Sequence, residues 1–130
     1  MTLRRTLEAA GPRPPDDVWD RYIRPARWPE WSPQIRSVDY EAPLLQPGTH
    51  GTLHGPGGFP VTFRIGSVEP DTAVRRWSWT ATALGIHLHL CHTVEAVPLG
   101  TRTVLALEGP APAVLLYLPA ARWALHRLVH

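Results

Sequence analysis

The sequence predicts an α+β protein. One curved antiparallel sheet of about seven strands wraps round a long carboxy-terminal helix, and two short helices follow the first strand. Three observations carry this expectation. From residue 35 to residue 108, short runs with two-residue alternation are separated by turn residues at regular intervals. The last eighteen residues, "AVLLYLPAARWALHRLVH", place Val114, Leu118, Ala121, Leu125 and Leu128 four, three, four and three apart, one apolar helical stripe. Between the first strand and the sheet lie two proline-bounded segments with aromatic residues at helical spacing.

The elements follow in order. "TLRRTLEA" alternates as a half-buried strand does, and "GPRPPDD" breaks it. "PDDVWDRYI" starts a helix with proline and aspartate in its first turn, and sets Val18, Trp19, Tyr22 and Ile23 on one face. Pro25 stops it, and "PARWPEWS" supplies one or two more helical turns. "QIRSVDYEA", "THGTLHG", "PVTFRIGSVEP", "AVRRWSWTATA", "GIHLHLCHTVEAV" and "RTVLALEG" read as six strands joined by "PLLQPG", "PGG", "EPD", a turn near Gly85 and "PLGT". Pro119 interrupts the final helix, where a kink or a broken first turn is expected. One amphipathic helix covers only part of a wide curved sheet. The remainder of the inner face must be filled by side chains or left as a cavity.

Composition narrows the function. The chain of 130 residues suits one domain, 1–130, with no internal repeat and no dividing linker. All thirteen basic residues are arginine; without lysine, Schiff-base chemistry and a lysine-bearing phosphate loop are excluded. Net charge is only +2 and the arginines are scattered, which argues against nucleic-acid binding. The single cysteine, Cys91, excludes an intramolecular disulfide. No stretch approaches the roughly 18 apolar residues of a membrane span, and "MTLRRTLEAAGPRPP" has no signal-peptide core, so a soluble cytoplasmic protein is expected. There is no "G-x-S-x-G" elbow, and "GPGG" sits in a hairpin turn rather than at a helix start.

The element order, with "VWDRYIRPARWPEWSPQIRSVD" leading into the second strand, "LQPGTHGTLHGPGG" at the third, and "RRWSWT" and "HTVE" in the central strands, resembles the START-like (SRPBCC, helix-grip) superfamily, most nearly its bacterial polyketide cyclase/dehydrase-type members. The resemblance spans essentially the whole chain. It implies an internal cavity for a hydrophobic small molecule and no cofactor, and its motifs identify the fold better than the ligand. The superfamily has no shared catalytic signature, so a reaction must be argued from the site.

Alternation assigns the faces. Ile86, Leu88, Leu90, His92 and Val94 form the apolar set that should face the helix, leaving His87, His89 and Cys91 outward. A flat row of three such side chains cannot close a tetrahedron, so no metal site is expected. His92 has two readings: a core histidine satisfied by a neighbour, or a polar handle and general base in an apolar pocket. Trp77 and Trp79 share a face with Ala81 and Ala83, and either fill the core or shape a flat slot for an aromatic ligand. Phe63, Ile65 and Leu90 extend that wall, Trp28 lies at one end, and Tyr117 and Leu118 face it from the helix. Tyr40 is a further candidate to bring a hydroxyl inside and assist His92. The expected function is therefore binding of a hydrophobic, aromatic or polyketide-like molecule, either with catalysis of its cyclisation or dehydration or as a non-catalytic carrier or sensor.

Overall fold

Alternation and turn chemistry place the strands where the sequence puts them. The computed structural model describes residues 1–130. β1 (Thr2–Gly11) is followed by α1 (Pro15–Ile23), a 3-10 turn (Pro25–Arg27) and α2 (Trp28–Trp31). Then come β2 (Ser37–Asp39), β3 (His50–His54), β4 (Pro60–Glu69), β5 (Arg75–Ala83), β6 (Ile86–Val97) and β7 (Gly100–Pro110), and finally α3 (Ala111–Val129). The seven strands form one antiparallel sheet in the order β1-β7-β6-β5-β4-β3-β2.

Two elements differ in extent from the sequence reading. β2 has only three residues, because the chain leaves the sheet at Tyr40 and buries Leu45, whose N–H donates to Ile23 O at 2.9 Å. α3 runs unbroken through Pro119. The proline is exposed, and so is Leu115, one turn earlier, whose carbonyl it leaves unpaired.

The sheet bends at β4. Its register with β5 shifts between Ile65 and Val68, and the hydroxyl of Ser78 fills the gap by accepting the Ser67 N–H at 3.0 Å. Such a bulge sharpens local twist and curls the strand over the inner face. α3 packs mainly on β1 and β7, at one side of the sheet. Val114, Ala121, Leu125 and Leu128 are buried there, and Leu118 is partly buried against the same core.

The short helices are fastened by polar groups that reach helix ends. Trp28 and Trp31 are buried, and their indole N–H groups donate to Tyr22 O (2.8 Å) and Arg21 O (3.0 Å), two of the carbonyls left free at the end of α1. Arg21, only 5% exposed, donates from one guanidinium nitrogen to Arg127 O (3.0 Å) and Leu128 O (2.9 Å) at the end of α3. A cation at a helix carboxy terminus is favoured both by the hydrogen bonds and by the helix dipole. On the surface Arg27 bridges Asp17, Asp20 and Glu30, which ties α1 to α2.

Arg21→Met should keep the apolar stem but strand two carbonyls. The expected loss is about 2–3 kcal/mol in denaturant unfolding, against less than about 1 kcal/mol for Arg24→Met, whose ion pair with Asp20 is exposed. Equal losses would show that the cap contributes nothing beyond a surface pair.

Candidate functional site

Because α3 sits over β1 and β7, the inner face of β4 to β6 needs other cover. One half receives aromatic rings. Trp77 and Trp79 stack with centroids 5.7 Å apart, Trp28 lies 5.2 Å from Trp79, and Phe63 meets Trp79 edge-on at 5.7 Å. Each such pair contributes about 0.5–1.5 kcal/mol beyond its buried area. The other half stays open as a cavity of about 530 Å³.

A size gradient along β5 divides the two halves. Trp77 and Trp79 fill space, and Ala81 and Ala83, next on the same face, leave it free. Opposite them on β6 stand Leu90, Leu88 and Ile86, paired in register with Trp79, Ala81 and Ala83. Leu53, Phe59 and Val61 from the β3–β4 hairpin close one side, and Gln34 and Ile35 close another. The roof is Ala113, Leu116, Tyr117 and Ala120 of α3. These four recur at i, i+3, i+4 and i+7, a second apolar face beside the one on the core. No charged side chain lines the cavity. Its rim is apolar too: Leu84 and Leu116 are 86% and 84% exposed, and Phe59 and Ile86 are nearly half exposed. Leu84 and Gly85 both have positive φ in the β5–β6 turn, so a bulky residue holds a conformation suited to glycine or asparagine. A larger depression of about 950 Å³ lies at the β2–β5 end of the sheet, but it is open and bordered by Asp39, Glu41, His50 and Arg64. It suits water better than a hydrophobic ligand.

Of the residues singled out from the sequence, the cavity brings together Trp79, Leu90 and Tyr117. His92, Trp77 and Trp28 border instead a nearly closed void of about 10 Å³ behind Trp79. Phe63 and Ile65 are buried in the sheet, and Leu118 packs on the core. The Tyr40 hydroxyl is bonded to Thr49 Oγ1 (2.5 Å) and accepts the Gln46 N–H (2.9 Å), so it pins a loop on the other side of Phe63. His87 and His89 face outward, bonded to Thr82 (2.8 Å) and Thr80 (2.9 Å) across the strand pair. No three His, Cys, Asp or Glu side chains converge on a point. The sequence reading did not single out Gln34, Phe59, Ala113, Leu116 or Ala120. The signal for the last three is present in "AVLLYLPAA", which carries two apolar stripes, one continuing to Leu128 and one over the cavity.

His92 is 3% exposed and both ring nitrogens are engaged. An indole N–H can only donate, so Trp79 Nε1, 3.0 Å away, makes Nε2 the acceptor and leaves the proton on Nδ1. Nδ1–H then donates to Tyr22 Oη (3.2 Å), whose hydroxyl donates to Thr103 Oγ1 (2.7 Å), which donates to Thr93 O (2.7 Å). Four bonds thus run in one direction, and every hydrogen is used once. Burial lowers the His92 pKa to about 3 and pushes the Tyr22 phenol well above its ordinary value. Tyr117 differs. Its ring forms cavity wall, its deep-set hydroxyl is raised in pKa by burial, and the Gln34 carboxamide beside it works in the opposite direction.

The architecture is the helix-grip fold, a curved antiparallel sheet round a long carboxy-terminal helix, with an apolar cavity between the two. Residues 4–130 match the family model described as polyketide cyclase / dehydrase and lipid transport, and the chain belongs to that family. Solved structures share the fold at low identity. Protein MLL2253 from Mesorhizobium loti has a TM-score of 0.77 at 17% identity, with 98% of this chain and 94% of that one covered. Ara h 8.0201 has a TM-score of 0.75 at 13% identity, covering 99% and 96%. Hypothetical protein jhp0584 from Helicobacter pylori has 0.74 at 16% identity, covering 99% and 86%. No curated protein matches the chain. No helix is long and apolar enough to cross a membrane.

The lowered His92 pKa has a defined effect on stability. The native state holds the neutral ring, whereas the unfolded chain binds a proton near pH 6.5. The contribution is therefore complete above pH 6.5 and is lost as pH falls from there towards 3, at up to about 1.4 kcal/mol per unit. Unfolding at pH 7 and pH 5 should show a larger acid loss in the native protein than in His92→Phe. Parallel pH dependence in the two would refute a neutral, buried ring.

Proposed function

We propose that the protein binds a neutral, largely apolar, ring-bearing small molecule in the cavity between α3 and the β5–β6 hairpin, and holds it without turnover. The observation that carries this reading is an apolar lining with no charged group. A charged ligand would leave water without a counter-charge, which is unfavourable by several kcal/mol. The volume of about 530 Å³ suits a two- to four-ring molecule. Trp79 supplies a flat floor, Leu90 and Leu88 a side wall, and Tyr117 a hydroxyl overhead.

The family description includes cyclisation, and a cyclase is the second reading. Shape alone assists such a reaction by holding carbons in contact. In this cavity Tyr117 is the one titratable group, and burial keeps its phenol protonated, so it supplies a donor rather than a base. His92 is turned into its own hydrogen-bond chain behind Trp79. Both features support holding over turnover, with His92 as a structural residue.

Naphthalene should quench or shift the tryptophan emission saturably, and 2-naphthoate, charged at pH 7, should bind at least tenfold more weakly. Ala120→Phe should fill the roof and abolish the response while leaving the unfolding midpoint within a few degrees. Unchanged binding in that variant would place the ligand elsewhere. For the cyclase reading, a poly-β-ketone incubated with the protein should yield a cyclised product faster than buffer alone, and no acceleration would leave binding as the function.

The rim residue Leu84 has a separable effect. Leu84→Asn should raise stability by about 1 kcal/mol, since asparagine tolerates positive φ. It should also weaken naphthalene binding severalfold by removing an apolar lip. A variant that is destabilised, or that binds as well as the native protein, would contradict this account of the turn.

A further inference from the structure

The cavity has one polar corner. Gln34, on the segment after α2, and Tyr117, on α3, both line it, and the carboxamide lies beside the phenol. Both polar atoms of the Gln34 side chain, Nε2 and Oε1, are shielded from solvent and have no hydrogen-bond partner within the protein. The Tyr117 hydroxyl lies near enough to the amide to feel its dipole, but outside hydrogen-bonding geometry. An amide shut away in this manner normally finds partners for both its donor and its acceptor, because each unpaired buried group costs about 1–3 kcal/mol. Replacing Gln34 by an apolar residue of the same length would remove that penalty, so its presence calls for an occupant that pairs with it.

We infer that Gln34 and Tyr117 form a head-group site for a ligand that presents a hydrogen-bond donor and a hydrogen-bond acceptor side by side on an apolar ring body, as a lactam does. This rests on the cavity being the binding site and specifies what it selects. The ligand N–H or O–H donates to Gln34 Oε1, and the ligand carbonyl accepts from Gln34 Nε2–H and Tyr117 O–H. Rings then lie between Trp79 and Ala120. A carboxylate is a poor head group, because it has no hydrogen to donate and meets no cation. A plain hydrocarbon leaves both amide atoms as they are.

The test compares 2-quinolone, a bicyclic lactam, with naphthalene, of the same shape and no polar edge, and with N-methyl-2-quinolone, which lacks the donor. Affinities are measured by tryptophan fluorescence on the native protein, Gln34→Leu and Tyr117→Phe. The ratio of 2-quinolone affinity to naphthalene affinity should fall at least tenfold in Gln34→Leu and severalfold in Tyr117→Phe. N-methylation should weaken binding about tenfold in the native protein and little in Gln34→Leu. An affinity ratio that is the same in native protein and Gln34→Leu, with naphthalene bound by both, overturns the head-group site and leaves the cavity reading intact. Failure of naphthalene and 2-quinolone alike to bind the native protein overturns the cavity reading as well. Should Gln34→Leu not fold, equal binding of 2-quinolone and its N-methyl derivative by the native protein overturns the inference by itself.

Discussion

A single helix cannot cover a seven-stranded sheet, and this mismatch organises the molecule. α3 lies on β1 and β7, where Leu105, Leu107, Leu125 and Leu128 exclude water. Over β4 and β5 the helix no longer packs directly on the sheet, and it meets β6 only slightly. Two remedies stand side by side. Over Trp77 and Phe63 the space is filled by rings from α1 and α2; over Ala81 and Ala83 it is left unfilled. The boundary between a packed core and an open cavity is therefore a change of residue size along one strand.

The rings in the filled half also explain why α1 and α2 are where they are. Neither is long enough to be stable alone, since isolated helices of fewer than about 12 residues are marginal in water. Tyr22 and Trp28 hold them down by stacking on Trp77, and Arg21 ties the same segment to the end of α3. The short helices are thus side-chain carriers as much as secondary structure. Loss of their order would open both the core and one wall of the chamber, because Gln34 and Ile35 follow directly from α2.

Much of this was legible in the sequence. Period-two alternation gave the strands, and it set Trp77, Trp79, Leu90 and His92 on the inner face, where they are. The tryptophans and the alanines after them left two readings open, a filled core or a slot, and the strand holds both: rings pack over Trp77, and space remains over Ala81 and Ala83. What stayed hidden depended on three-dimensional neighbours. Nothing in the order of residues says that Trp79 would turn its N–H to His92 and stand between that histidine and the chamber. Gln34 was invisible for the same reason: a glutamine between two proline-rich turns reads as surface until the fold buries its amide. Proline rules over-weighted Pro119, because they do not say whether the carbonyl it orphans faces solvent or core.

The hydrogen-bond chain that starts at Trp79 has a polarity, with every hydrogen pointing away from the indole and towards Thr93 O. Chains of this kind polarise along their length. The indole that gives its hydrogen to the chain is left richer in electron density, and its ring is the floor of the chamber. The buried end of that floor is thus the negative pole of a small fixed dipole, and it greets electron-poor rings and C–H edges more favourably than electron-rich faces.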